Sequence, residues 1–208
     1  MTGLILKDLL YLKQTAKVLI SLLVFYLALF TATGSKDSAS GILSGVVIML
    51  TIILSSNAFA YDEAAKWRVY ELSLPVAKSR IVLARYLITL IFSTALALLS
   101  LFLELIVFRG VTMETAAALL APWSLSLLFC AILFPAMYKY GTQKARLLLM
   151  AIVLLPVLGL MLLSKANLPV PSESVLLLGI RLIPFLSVAA YFISYWISCR
   201  VFARKKEG

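Results

Sequence analysis

Residues 61–87 read YDEAAKWRVYELSLPVAKSRIVLARYL and hold 8 of the chain's 28 charged side chains. Long runs of Leu, Ile, Val and Ala flank them on both sides. The chain has 208 residues and is 63% hydrophobic and 13% charged, whereas roughly 25% of the residues of a soluble domain are charged. A globule of this composition has too little polar surface to face water. The flanking runs therefore belong in a bilayer, and the charged stretch lies between two membrane spans.

About 20 apolar residues in a row cross the hydrocarbon core as a helix. Working outward, six runs qualify, at about 18–33, 41–60, 82–108, 118–138, 147–164 and 175–199. The expectation is an all-α, polytopic membrane protein with six transmembrane helices, forming one domain over 1–208. Besides 61–81, the connections read as loops: TGSKDSASG (33–41), RGVTMETAA (109–117), the basic KYGTQKAR (139–146) and the proline-containing KANLPVPSES (165–174). Pro135, Pro156 and Pro184 fall inside spans, where a proline frees a backbone carbonyl and bends the helix. Membrane bundles tolerate this when a neighbour satisfies the freed group. No internal repeat or low-complexity segment is evident.

Charge placement sets the expected orientation. Of the 19 Lys and Arg residues, fifteen lie in the N-terminal segment, the second loop with its flank, the fourth loop and the tail. Lys36, Arg109 and Lys165 stand one each in the other three loops, and Arg181 lies within the sixth span. By the positive-inside rule, both termini and residues 61–87 are expected in the cytoplasm. The same rule accounts for the net charge of +10 without nucleic acid as a partner. No cleavable signal peptide is evident, so the first span reads as a retained anchor. Cys130 and Cys199 fall at different expected depths and read as two separate buried thiols.

Missing residue types exclude much chemistry. The chain has no histidine, which removes His-based metal sites, Ser-His-Asp triads and HExxH proteases together. It contains neither a GxxxxGK[ST] phosphate loop nor a GxSxG elbow. No catalytic, metal or cofactor-binding residue is expected. The charges clearly inside spans are Glu104 and Arg181, opposite in sign. Each is expected within roughly 7–9 Å of the same membrane surface at 1.5 Å per residue. They are candidates for an intramembrane pair, or for two side chains that each snorkel to the headgroups.

From 60 to 74 the charged stretch has helical spacing. Ala60, Ala64, Trp67 and Leu74, with Tyr70 beside them, form an apolar stripe, while Asp62, Lys66, Val69 and Ser73 share another face next to Glu63. Asp62 and Glu63 read as the N-terminal acids of this helix, favourable to its dipole. Asp62 is spaced to pair with Lys66, and Arg68 with Glu71. Pro75 ends the helix. On these grounds the segment is either a passive interfacial helix at the headgroups or a docking element.

NAFAYDEAAKWRVYELSLPVAKSRIVLARYL resembles the hallmark of the type-two ABC exporter permeases of bacteria, which include the membrane subunits of the phenol-soluble-modulin exporter. Asn57, Tyr61, Asp62, Glu63, Lys66, Trp67, Tyr70, Ser73, Leu74, Pro75, Arg80 and Tyr86 carry the likeness. The opening LILKDLLYLKQ is similar to that family's start, and the resemblance covers roughly residues 1–90. It implies an N-terminal amphipathic elbow helix, and a cytoplasmic coupling helix (within 61–80) fitting a cleft in a separate ABC ATPase. Asp62, Glu63, Lys66, Val69, Tyr70 and Ser73 would then be offered to the ATPase, with Trp67 and Leu74 bracing the helix on the bundle.

The chain would thus be a non-enzymatic transport subunit in the bacterial cytoplasmic membrane, surrounded by lipid. It would pair with a second permease subunit, identical or different, and export an amphipathic substrate such as a peptide. ATP and Mg would be bound in the partner. KANLPVPSES is too short for the large extracellular domains of some relatives. The competing expectation is a membrane assembly protein whose charged loop recruits a soluble partner without transport.

Overall fold

The computed structural model describes residues 7, 20–21, 24–25, 28, 36–67, 76–108, 113–165 and 173–204. Within its helices, side chains at 36–43, 104, 106–108, 113–119, 153, 155–165 and 173–181 lie outside that description. The described chain forms five long helices and no strand: α1 (Lys36–Ala64), α2 (Lys78–Phe108), α3 (Met113–Tyr140), α4 (Thr142–Lys165) and α5 (Glu173–Arg204). Four stretches among the described residues are long and apolar enough to cross a membrane: Ser44–Ala64, Lys78–Leu103, Leu120–Tyr140 and Leu182–Arg204. They correspond to the expected second, third, fourth and sixth spans. The expected fifth span lies within α4, mostly beyond its described side chains, and most of the first (18–33) and of the elbow helix lies outside the described residues.

The helices outrun the apolar runs, and three expected loops shrink. Helix begins at Lys36 inside 33–41, at Met113 inside 109–117, and at Glu173 inside 165–174. Hydropathy marks only the part of a helix that meets hydrocarbon, so the polar turns beyond it went unread. The expected loop 139–146 is a sharper correction. Gly141 alone separates α3 from α4.

Helix α3 lies at the centre, packed most extensively on α5 and also against α1, α4 and α2. Its side chains Leu127, Cys130, Leu133 and Phe134 are fully enclosed. Phe134 meets Phe59 of α1 at 5.4 Å and Tyr86 of α2 at 4.8 Å, the latter edge-on. Tyr86 also lies 4.9 Å from Tyr191 of α5. Hydroxyls tie the same helices together. The Tyr86 hydroxyl is 2.6 Å from Ser194 Oγ and 2.8 Å from Ser198 Oγ, and Tyr191 donates to the Tyr86 carbonyl at 2.9 Å. In a bundle facing lipid, such bonds hold helices together where apolar burial has little to offer.

Pro135 shows how the bundle absorbs a helix breaker. A proline here leaves the carbonyl of Ala131, four residues back, without its helical donor. Ser194 Oγ of α5 donates to that carbonyl at 2.5 Å. The outward face of α5 is apolar, with Phe185, Phe192, Ile193 and Trp196 each more than 60% exposed, a surface suited to lipid. Cys130 and Cys199 are free thiols.

Candidate functional site

The C-terminal ends of α1, α3 and α5 meet the N-terminal ends of α2 and α4 at one end of the bundle. Phe59, Tyr138 and Phe202 join there edge to face at 5.0 and 5.4 Å. Much of the basic set counted in the sequence gathers here: Lys7, Lys66, Arg85, Lys139, Lys144 and Arg146 lie on or beside these ends.

Helix α1 does not stop where the second apolar run stops. It continues through Tyr61, Asp62 and Glu63 to Ala64. The amide of Ala65 still donates to the Tyr61 carbonyl at 2.9 Å, then Lys66 turns back to Glu63 at 3.2 Å. Lys66 has φ +48°, a left-handed conformation that ends helices and usually falls to glycine. The expected unbroken helix from 60 to 74 is therefore interrupted at Lys66. Trp67 is half-buried, with Lys7 Nζ 4.7 Å above its ring. Val69, Tyr70, Ser73 and Leu74 lie outside the described residues.

This ending reverses the electrostatic reading of the two acids. Asp62 and Glu63 occupy the last turn of a helix, the negative end of its dipole, where a carboxylate is disfavoured. Each is compensated by another segment. Asp62 takes an ion pair from Lys7 at 2.7 Å and a second from Arg85 of α2, in place of the expected pair with Lys66. Arg85, one of the basic residues flanking the second loop, is buried and lies 4.8 Å from the centre of the Phe59 ring.

Glu63 reaches α4. Gly141 has φ +87°, and its amide donates to the Met137 carbonyl at 3.0 Å, closing α3. Its carbonyl accepts from Ala145 at 3.2 Å, opening α4. Gly141 thus stands at the N-cap of α4, where Ser, Thr, Asp or Asn would ordinarily supply a side-chain acceptor. Glu63 supplies one from another helix: its Oε2 accepts the Thr142 amide at 3.0 Å and the Thr142 hydroxyl. A Cβ at position 141 would stand 3.1 Å from Glu63 Oε1, so the glycine makes room for the carboxylate as well as the turn. Arg146 adds a bond to Asn57 of α1 at 3.4 Å.

Beneath these contacts lies a cavity of about 280 Å³, walled by Phe59, Met137, Tyr138 and Phe202, with Asp62, Glu63, Lys66 and Arg85 around it. No His/Cys/Asp/Glu group among the described residues is arranged to hold a metal ion. What the arrangement offers is a mechanical junction of four segments. Sequence reading missed Lys7, Arg85, Gly141 and Thr142 as its members. The available signal for Arg85 was its depth, more than a turn inside the helix beyond Lys78 and Arg80. The side chains of Glu104 and Arg181 lie outside the described residues.

A family model described as ABC-2 family transporter protein matches residues 3–203 of the chain. No curated protein and no solved structure matches it.

Proposed function

As this chain belongs to the ABC-2 transporter family, we propose that it is the transmembrane subunit of an ATP-driven exporter. It works with a cytoplasmic ABC ATPase that holds the ATP and Mg, and with a second permease subunit. The chain is one domain of six spans with an N-terminal elbow helix, and the basic end of the bundle faces the cytoplasm. Segment 61–80 is its contact with the ATPase. Lys66, Val69, Tyr70 and Ser73 meet the partner, and Asp62 and Glu63 act just behind them. The translocated substrate is amphipathic, with peptides of the phenol-soluble-modulin kind as the leading class.

The observation that carries this reading is Lys66. It is exposed, at the tip of α1, in a backbone conformation that glycine adopts without strain. A non-glycine side chain held there costs about 1 kcal/mol. Strain of this sort is kept where the side chain has a task, and a lysine at the tip of a basic junction is placed to meet an acidic patch on a partner.

Lys66→Gly separates function from stability. It is expected to leave the permease as stable or about 1 kcal/mol more stable, yet to weaken ATPase binding and the stimulation of ATP hydrolysis. The protein that co-purifies in mild detergent must itself hydrolyse ATP. A Lys66→Gly permease that stimulates that hydrolysis as well as wild type does would remove Lys66 from the contact. Absence of any ATP hydrolysis in the wild-type complex would sink the exporter reading.

A further inference from the structure

We propose that Glu63 is a positioning residue that makes the α3–α4 corner move with the ATPase-contacting segment, by acting as the missing N-cap of α4. This rests on the reading of 61–80 as the ATPase contact and adds to it the route by which a push leaves that segment. Three observations converge on it. The N-cap position of α4 is Gly141, which has no side chain to cap with. The cap comes instead from Glu63, two bonds from one carboxylate oxygen to Thr142. Position 141 is left-handed and open where a Cβ would crowd that carboxylate.

A helix capped by its own residue is indifferent to its neighbours. Helix α4, capped from α1, is not. The capping residue lies three positions before Lys66, in the last turn of α1. Displacing the end of α1 either carries the start of α4 along or uncovers its first amides. Thr142 is buried although Glu63 itself is exposed, so loss of the carboxylate leaves a buried residue's amide and hydroxyl without their acceptor. The corner is also where α3 ends, so the same displacement reaches the central helix through Gly141.

The test compares wild type, Glu63→Ala, and Glu63→Ala combined with Gln143→Asp. Gln143 is exposed in the first turn of α4, and an aspartate there returns a carboxylate to the helix N-terminus without linking it to α1. Amide hydrogen exchange over residues 142–150 is followed in the permease alone, then with the ATPase subunit and a non-hydrolysable ATP analogue. Glu63→Ala should exchange roughly fivefold faster in the permease alone, the size expected for loss of a cap, and Gln143→Asp should restore most of this.

Addition of ATPase and nucleotide should alter exchange at 142–150 in wild type and in neither variant. Unchanged exchange in Glu63→Ala alone overturns the cap, whatever the partner does. An ATPase-induced response that returns with Gln143→Asp overturns the link and leaves Glu63 a local stabiliser. An ATPase that binds wild type without altering 142–150 overturns it too. If no ATPase binds wild type, the coupling reading falls and the link with it, while exchange in the permease alone still decides the cap.

Discussion

Replacing Arg85 with leucine tests the junction at its most enclosed point. Arg85 and Asp62 have side chains 7% and 14% exposed, so their pair is shielded from water. Removing one member of such a pair strands the other, at a cost of about 3–5 kcal/mol. Asp62 keeps Lys7 at 2.7 Å, which places the expected loss at the low end, about 3 kcal/mol, including the contact over Phe59. For a chain of this length, 1 kcal/mol corresponds to about 2–4 °C in Tm. Arg85→Leu should therefore melt about 6–12 °C below wild type when unfolding is followed by tryptophan fluorescence in detergent.

The decisive comparison is with Asp62→Asn/Arg85→Leu. With the stranded charge gone, the double variant should recover at least half of the loss. Single-variant costs that simply add in the double, within about 0.5 kcal/mol, would show no coupling between the two residues. The pairing, and with it the account of how α1 tolerates an acid in its last turn, would then be refuted.

Gly141→Ala should cost about 1–2 kcal/mol through its left-handed backbone, with more from crowding Glu63. In a Glu63→Ala background the crowding part should vanish and the backbone part remain, a difference readable as Tm. Ser194→Ala strips the donor from the carbonyl that Pro135 frees and should cost about 1 kcal/mol, within the range for hydrogen bonds between membrane helices. In a Pro135→Ala background that carbonyl regains its helical donor, so Ser194→Ala should cost only its bond to Tyr86; equal costs in both backgrounds would argue against the compensation. For Glu104 and Arg181, exchanging the two charges should restore transport lost in either single reversal. A swap no better than the worse single variant, at matched membrane levels, leaves two independent snorkelling side chains.

Hydropathy and charge counting carried the reading of this chain a long way, because partition into hydrocarbon is close to a sum over residues. Runs of Leu, Ile and Val near 41–60, 82–108, 118–138 and 175–199 mark four helices apolar enough to span, and that result needs no knowledge of neighbours. The gathering of Lys and Arg in alternate connections is likewise read in one dimension, as is the lack of histidine. Helix ends were less legible. Hydrogen bonding continues past the apolar run, through Asp62 and Glu63 in α1 and from Met113 in α3.

The partner of each charge was decided by tertiary structure. Glu63 seen in one dimension is an acid near a helix end, and whether that end is positive or negative depends on where the helix breaks. The break falls at Lys66, after the acids, so Glu63 is misplaced for its own helix and well placed for the one that begins at Thr142, 79 residues later. Gly141 by itself reads as a turn in a basic loop; only the approach of α1 turns it into an empty cap with a donor-rich helix behind it. Ser194 and the Ala131 carbonyl meet for the same kind of reason, across two helices and 63 positions. Burial of apolar surface is additive along a chain, whereas a hydrogen bond needs two particular atoms within about 3 Å, and that coincidence exists only once the helices have packed.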